Sequence, residues 1–279
     1  MLLQAQLAAC RVEQMRFVLP VGSVKRCTGA LFPVRNRESW KESKFVFKNK
    51  KLVASSDQRE VSFASRLIVN IIARFYQSAL QTHGTGRLLD LGCGKAPLYA
   101  AYKEHVTEII CVDWANTLHR NEHLDLELDL SEPLPFADGE FDTIILSDVL
   151  EHIPVPESLW SEMVRILSKN GKIIMNTPFY YCLHERPHDY FRYTEFALRR
   201  FVKLSGMQLI ELAPIGGVPE IVADIFSKSA LRLPRIGKTI ARTIQYLSLC
   251  FIRTRFGKKI SEATAQDFPF GYFLIAQKP

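Results

Sequence analysis

The sequence predicts an α/β fold, built on a mostly parallel seven-stranded sheet with helices on both faces. Two observations predict it. Between residues 87 and 178, short apolar runs alternate with segments of helical periodicity, which is the pattern of parallel βαβ units. One of these runs passes directly into a Gly-rich turn, Asp90-Leu91-Gly92-Cys93-Gly94. The 279 residues are 47% hydrophobic and 23% charged, which suits one α/β domain with appendages.

Seven strands are predicted along the chain, five in the alternating region and two after it. They are 87–91, 108–112, 125–129, 143–147, 172–176, 207–213 and 271–277. Ahead of them, apolar residues at helical spacing predict a helix over 58–80. Residues 1–56 are basic and irregular, with a weak hairpin signal at 44–54. We therefore expect an N-terminal extension over 1–56 and one domain over 57–279, with a helical insertion at about 216–267.

The spacing of the cysteines and the N-terminal residues indicate the cellular compartment of the protein. The six cysteines form no Cys-x-x-Cys pair, which favours free thiols over a disulfide framework or a zinc site. Leu7-Ala8-Ala9-Cys10 has the letters of a lipoprotein cleavage box, but residues 1–9 lack the basic start and apolar stretch of a secretory signal. No window has the roughly 18 apolar residues of a membrane span. We expect a cytoplasmic protein, with association at the inner face of a membrane left open.

The turn Gly92-Cys93-Gly94 follows a buried strand and precedes a helical segment. Glycines let a backbone approach a ligand closely at a helix N-terminus, and open α/β sheets bind ligands beyond the carboxyl ends of their strands. A dinucleotide fingerprint would need a third Gly where Pro97 stands, which disfavours an NAD enzyme. Asp113 ends the next strand, where an acid can accept hydrogen bonds from two ribose hydroxyls or, alternatively, cap a helix.

Together these segments resemble the class I, Rossmann-like, S-adenosylmethionine-dependent methyltransferases, and in particular a type 11-like subgroup. The resemblance covers roughly 85–213 and 268–279. It rests on the order of Asp90-Leu91-Gly92-Cys93-Gly94, Asp113, Asp129-Leu130, Pro135-Phe136, Phe141-Asp142 and Asp148-Val149-Leu150-Glu151-His152. The segment 165–171 is similar to the one that leads into the family's fifth strand. The resemblance implies S-adenosylmethionine as cofactor and an antiparallel last strand preceded by the helical insertion.

The resemblance also implies a cofactor site. Gly92 and Gly94 would line the methionine and ribose portion, and Asp113 would bind the ribose hydroxyls. Asp90 would lie beneath the methionine end, and Asp129 with Leu130 would flank adenine. Trp114 either stacks on adenine or is a core aromatic at the start of a helix. The complete expected set is Asp90, Gly92, Cys93, Gly94, Asp113, Trp114, Asp129, Leu130 and Asp148.

The acceptor pocket is expected after the fourth and fifth strands. Methyl transfer is an in-line displacement at an activated carbon, so positioning supplies much of the acceleration, and a base helps only when a hydroxyl must lose its proton. The candidate bases are His152, His184 and Asp189, of which His152 is alternatively a structural neighbour of the cofactor. The candidate acceptor-binding residues are Tyr180, Tyr181, His188, Tyr190, Arg192 and Tyr193.

The stretch His184-Glu185-Arg186-Pro187-His188 also has the letters of the His-Glu-x-x-His zinc pattern. That pattern needs both histidines on one face of a continuous helix, which Pro187 would break. We therefore predict no metal site. The segment 178–194 also resembles a block found in class I methyltransferases associated with bacterial cell-surface polysaccharide pathways.

The net charge of +7 is unevenly placed. Residues 225–261 contain no Asp or Glu, and their apolar residues recur at helical spacing between many Lys and Arg. The apolar positions are Ile236, Ile240, Ile244, Leu247 and Phe251. An amphipathic basic helix of this kind can lie on an anionic membrane, cover a substrate pocket, pack in the core or present a solvated face.

The expected function is methyl transfer from S-adenosylmethionine to oxygen on a glycan, small-molecule or lipid-linked acceptor. The basic charge motivates an RNA methyltransferase as the alternative. Against it, Ser147-Asp148-Val149-Leu150 differs from the Asn/Asp-Pro-Pro-aromatic block of base amino methylation, and no RNA-binding module precedes the domain, so we expect no nucleic-acid partner. A cofactor-binding scaffold without turnover is the non-enzymatic alternative. The sequence leaves the acceptor and the oligomeric state open.

Overall fold

The computed structural model describes residues 40–115 and 124–279, so residues 1–39 of the predicted extension lie outside the described residues. The described chain begins with a hairpin of β1 (Phe45–Lys48) and β2 (Lys51–Ala54). Asn49 and Lys50 form its turn, both with positive φ, as a two-residue hairpin turn requires. Phe45 and Leu52 are buried in the core beside the following helix. A domain boundary at residue 56 stays a prediction.

The first helix begins later than its apolar periodicity predicts. A short 3-10 turn over Phe63–Ser65 precedes α1 (Arg66–His83). The reason lies in local hydrogen bonds: the amides of Glu60 and Val61 bond to the carbonyl of Asp57, which makes residues 57–61 a turn. The buried face of α1 carries apolar side chains at helical spacing and covers one face of the sheet.

The central sheet has seven strands. They are β3 (Arg87–Leu91), β4 (Glu108–Asp113), β5 (Leu126–Glu127), β6 (Phe141–Ser147), β7 (Leu167–Pro178), β8 (Gln208–Ile215) and β9 (Gly271–Gln277). Their spatial order is β5-β4-β3-β6-β7-β9-β8. The strands from β5 to β7 pair in parallel, and β9 runs antiparallel to both β7 and β8. The predicted α/β fold with an antiparallel last strand is confirmed.

Successive side chains of the central strands enter opposite cores, as expected for a sheet covered on both faces. Leu88 of β3 packs in the same cluster as α1, whereas Leu89 packs in the cluster on the other face. The remaining helices are α2 (Tyr99–Tyr102), α3 (Pro156–Ile166), α4 (Glu195–Leu204), α5 (Val218–Ala230), α6 (Gly237–Arg253) and α7 (Arg255–Thr264). The last three form the helical insertion before β9. Within the two described ranges, no helix combines the length and apolarity needed to span a bilayer.

Two strands differ most from their predicted lengths. The prediction of 125–129 is too long, because β5 pairs only at Leu126 and Glu127. The side chain of Asp125 accepts the amide of Cys111, so a side chain replaces a ladder bond at the start of the strand. At the other end the side chain of Asp129 accepts the amide of Ser131, which begins a turn. The strand predicted at 172–176 is longer, spanning all of β7, since its first residue pairs with the start of β6.

Candidate cofactor and acceptor site

A cavity of about 690 Å³ opens at the carboxyl ends of β3, β4 and β6. Strand ends supply Asp90, Asp113 and Ser147, and the loop between β7 and α4 closes another side with residues 185–188. Ligands of open parallel sheets bind at this edge, and the volume lies in the range of small-molecule and cofactor sites.

The glycine turn after β3 forms one wall. Gly92 and Gly94 have φ of 67° and 53°, in the left-handed region that glycine tolerates best. The amides of Gly92 and Cys93 both donate to the carbonyl of Val112, which holds the turn against β4. A Cβ added at Gly92 would lie 2.5 Å from a methyl carbon of Val149, so the close packing here also requires glycine.

Asp113 braces this turn from the next strand. Its Oδ2 accepts the Gly94 amide at 2.9 Å, and its Oδ1 accepts the Trp114 amide at 2.8 Å. The carboxylate also lines the cavity. Asp90 lies deeper, 3% exposed, and its Oδ2 accepts the hydroxyl of Tyr102 at 3.0 Å.

A buried polar network supports the turn after β6. The hydroxyls of Tyr76 and Ser147 donate to Oδ1 of Asn176 at 2.7 and 2.9 Å, and the Asn176 amide group donates to Asp148. The other oxygen of Asp148 pairs with Lys44 at 3.0 Å. Burial opposes the charge of Lys44, but the attraction of Asp148 outweighs it and the pKa of Lys44 is raised. The N-terminal hairpin therefore contributes a cation to the cavity, which sequence reasoning missed.

His152 lies at the acceptor end of the cavity. Its Nδ1 is 2.5 Å from the carbonyl oxygen of His188, so that nitrogen must carry the proton. Its Nε2 is buried and faces Glu151 and Glu185 at 3.7 and 3.9 Å instead of open space. Burial raises the pKa of Glu151, against the opposing effect of nearby His184. This geometry leaves no exposed imidazole nitrogen on His152 for a base.

The other two candidate bases lie behind the cavity wall. Burial lowers the pKa of His184, but the neighbouring Glu151 and Asp189 outweigh it, and that pKa is raised. Asp189 is paired with both guanidinium nitrogens of Arg192 and accepts the amide of His184, which hold its pKa well below the usual range. An ion-paired carboxylate of this kind is a weak proton acceptor.

The structure brings all nine predicted cofactor residues to the wall of the one cavity. It also brings His152, His188 and Tyr190 there, with the ring of His188 edge-on to Trp114 at 5.0 Å. It does not bring the other predicted acceptor residues to this cavity. Tyr193 is buried in the core, where its hydroxyl donates to the carbonyl of Leu150, and Arg192 is engaged by Asp189. The binding roles themselves stay predictions.

Tyr180 and Tyr181 line a second cleft of about 350 Å³, between the loop after β7 and helix α5. Lys228 of α5 and Arg232, two residues after the end of that helix, line the same cleft. The ammonium of Lys228 sits 3.6 Å from the centre of the Tyr181 ring and pairs with Asp224 at 2.7 Å. The cleft therefore combines aromatic rings with two cations.

Residues 89–175 match the family model described as a methyltransferase domain. The matched segment runs from β3 into β7 and includes the glycine turn, Asp113 and the turn after β6. This matched segment is a methyltransferase domain of the class I, S-adenosylmethionine-dependent type. S-adenosylmethionine is the cofactor that this family uses.

Two curated relatives resemble this methyltransferase. An uncharacterized methyltransferase of Mycobacterium sp. (strain JLS) is 30% identical over 115 residues, which cover 38% of this chain and 44% of that protein. The ubiquinone biosynthesis O-methyltransferase of Xanthomonas oryzae pv. oryzae (strain PXO99A) is 25% identical over 119 residues, which cover 39% and 50%. The chain thus spans half or less of the length of these relatives.

The fold of the methyltransferase is also similar to a solved structure. Phosphoethanolamine N-methyltransferase 2 of Haemonchus contortus, in complex with S-adenosyl-L-methionine, superposes with a TM-score of 0.50 and 18% identity. The match covers 80% of this chain and 57% of that one. At this identity the likeness shows the fold and leaves the acceptor open.

Proposed function

We propose that the protein transfers a methyl group from S-adenosylmethionine to an oxygen of a glycan, small-molecule or lipid-linked acceptor. One observation carries the proposal: the nine residues expected to hold the cofactor line a single cavity at the carboxyl edge of the sheet. In this assignment Asp113 takes the ribose hydroxyls and the glycine turn lies against the methionine portion.

Positioning is the main contribution we assign to the protein. The methyl carbon is already activated by the sulfonium, so holding the acceptor oxygen in line with the carbon–sulfur bond supplies much of the rate. His188 and Tyr190 line the cavity opposite the glycine turn, and we assign them to the acceptor. The burial of the His152 Nε2 argues against a direct base role for this residue.

The charge of the second cleft favours an anionic acceptor. Lys228 and Arg232 lie opposite the rings of Tyr180 and Tyr181, and rings with cations suit a sugar or an apolar group that carries phosphate. The loop that lines this cleft continues to residues 185–188 of the cofactor cavity, so one acceptor could contact both.

A lipid-linked acceptor also accounts for the surface of the helical insertion. Large apolar side chains are exposed on all three helices, including Phe226, Leu247 and Phe256 at 59%, 59% and 67%. Among the predicted apolar positions Ile236, Leu247 and Phe251 are exposed, which argues against core packing. Eight of the nine cations within 225–261 are exposed beside them. We propose that this surface contacts an anionic membrane.

Calorimetry and a product assay test the proposed activity. S-adenosylmethionine should bind, and S-adenosylhomocysteine should form only when a hydroxyl-bearing acceptor is added from a panel of glycans, phenols and lipid-linked phosphates. Absence of cofactor binding would refute the proposal. Binding without turnover on any acceptor would favour the scaffold, and turnover on RNA alone would favour the RNA alternative.

Sedimentation with vesicles tests the membrane contact. Binding to anionic but not neutral vesicles is expected, and added salt should weaken it through screening. Changing Arg255, Lys258 and Lys259 together to Gln should reduce affinity by roughly 100-fold, at about 1 kcal/mol for each cation. The matched control changes Lys48, Lys50 and Lys51, three exposed lysines of the hairpin, and should leave binding unchanged. Equal binding to both vesicle types contradicts the proposal.

A further inference from the structure

Three metal-ligating atoms meet behind the wall of the cofactor cavity. Oε1 of Glu151 lies 3.7 Å from Nε2 of His152 and 3.7 Å from Nε2 of His184. One ligand atom from each of the three residues lies within 4.8 Å of the others. Glu151 is 0% exposed, and the side chains of the two histidines are 12% and 22% exposed. Methyl transfer, as assigned above, uses none of these atoms.

Two of these three atoms are buried without a hydrogen bond. Oε1 of Glu151 and Nε2 of His152 are buried without a hydrogen-bond partner, and a separation of 3.7 Å is too long for one. Two atoms that each lie about 2.1 Å from one tetrahedral ion are separated by roughly 3.4 Å. A small inward rotation of the three side chains would therefore bring them onto a single ion.

The outer nitrogens of the two rings differ in their contacts. Nδ1 of His152 donates to the carbonyl oxygen of His188, which leaves the lone pair of its Nε2 directed toward Glu151. Nδ1 of His184 lies 3.3 Å from Oδ2 of Asp189 but makes no hydrogen bond in this geometry. Metal-bound histidines are typically held by a carbonyl or a carboxylate on the other ring nitrogen; His152 meets this condition, and a small rotation of His184 would meet it with Asp189.

The local charges also favour a cation. Asp148 forms an ion pair with Lys44, and Asp189 forms one with Arg192. Among residues 40–115 and 124–279, the ion pairs of Glu151 are with the two imidazoles alone. A buried carboxylate in such a position is stabilised by its own proton, by a protonated histidine or by a bound cation.

We propose that Glu151, His152 and His184 bind one divalent transition-metal ion of the zinc class, for which two imidazoles and a carboxylate are a typical donor set. The ion would fasten the loop of His184 to the turn after β6. The proposal differs from the sequence prediction of no metal site, which considered His184 and His188 on one helix. Here the ring of His188 is not a ligand, and no helix is needed.

Metal titration of the tag-free, chelator-treated protein tests this proposal without reference to methyl transfer. One Zn²⁺ per chain should bind by calorimetry, and Co²⁺ should give the visible d–d absorption of a low-symmetry site. His152→Ala and His184→Ala should each lower affinity at least 100-fold and abolish the Co²⁺ absorption. The controls His105→Ala, an exposed imidazole elsewhere, and Cys182→Ser, a thiol in the same loop, should retain both signals.

Two further variants keep the test decisive if one protein fails to fold. Glu151→Gln preserves the shape of the buried side chain and removes its charge, so it should lose the ion while retaining the native circular dichroism spectrum. Asp189→Asn should weaken binding about 10- to 100-fold, the usual effect of removing an outer partner. The proposal is overturned if the wild type binds no stoichiometric ion, or if folded histidine variants bind as tightly as the wild type.

Discussion

Nζ of Lys44 lies 3.0 Å from Oδ2 of Asp148, although 104 residues separate the two along the chain. The contact joins the N-terminal hairpin to the turn after β6, and both residues line the cofactor cavity. Asp148 has a positive φ of 54°, so its carboxylate is held in place by a backbone conformation that is uncommon outside glycine. The start of the N-terminal hairpin therefore forms part of the wall of the cavity.

A double-mutant cycle with Lys44→Met and Asp148→Asn should measure this contact. The two side chains are 32% and 26% exposed, so solvent screens the pair and the coupling free energy should be about 0.5–1 kcal/mol. Urea unfolding of the four proteins provides the values. A coupling indistinguishable from zero would mean that the pair does not tie the hairpin to the site.

Asp113→Ala should weaken binding of S-adenosylmethionine by roughly 1.5–3 kcal/mol, because charge-assisted hydrogen bonds to the ribose are lost. The Gly94 amide also loses its acceptor, so the folded state must be checked by circular dichroism. Glu127→Ala, an exposed acid at the end of β5, is the matched control for calorimetry. Unchanged affinity in a folded Asp113→Ala protein would remove this residue from the site.

Gly92→Ala should destabilise the protein through two separable effects. A side chain at positive φ costs about 1–2 kcal/mol, and the new Cβ collides with Val149. Adding Val149→Ala relieves the collision but not the backbone strain. The double variant should therefore lose less stability than the sum of the two single losses, but more than Val149→Ala alone. Thermal unfolding of all three variants measures this. Full additivity of the two losses would show that the collision is absent.

Tyr76→Phe should cost about 0.5–1.5 kcal/mol of unfolding free energy, the value of one buried hydrogen bond. The loss stays in this range because Ser147 continues to donate to the same oxygen of Asn176. The exposed Tyr246→Phe serves as control, and urea unfolding compares the two. A loss above 3 kcal/mol would indicate that Asn176 and Asp148 rearrange with the missing hydroxyl.

The sheet could be predicted from the sequence because its signals are local. Arg87–Leu91 and Gly271–Gln277 are found at the predicted bounds, since apolar residues predominate in each. Leu126 and Glu127 are the exception: the side chain of Asp125 takes a hydrogen bond of the neighbouring strand and that of Asp129 begins a turn, and hydrophobic periodicity does not reveal such side-chain bonds.

The grouping of the cofactor candidates around one cavity could be predicted for the same reason, because the carboxyl ends of parallel strands meet at one edge. The positions of the acceptor candidates could not. Tyr180, Tyr181 and Tyr193 follow one strand closely, yet the first two face α5 and the third enters the core. The path of a loop depends on distant partners, such as the pairing of Asp189 with Arg192 and the carbonyl of Leu150. Lys44 was missed because nothing near it in the sequence points to Asp148.

The position of β9 affects how the chain acquires its structure during synthesis. Gly271–Gln277 is inserted between β7 and β8, both of which leave the ribosome well before it, with α5, α6 and α7 made in between. Until β9 arrives, β7 and β8 each keep an open hydrogen-bonding edge, and such edges are prone to mispairing. This half of the sheet must therefore be completed late, when β9 pairs with both β7 and β8, while the half from β5 to β7 can assemble in the order of translation.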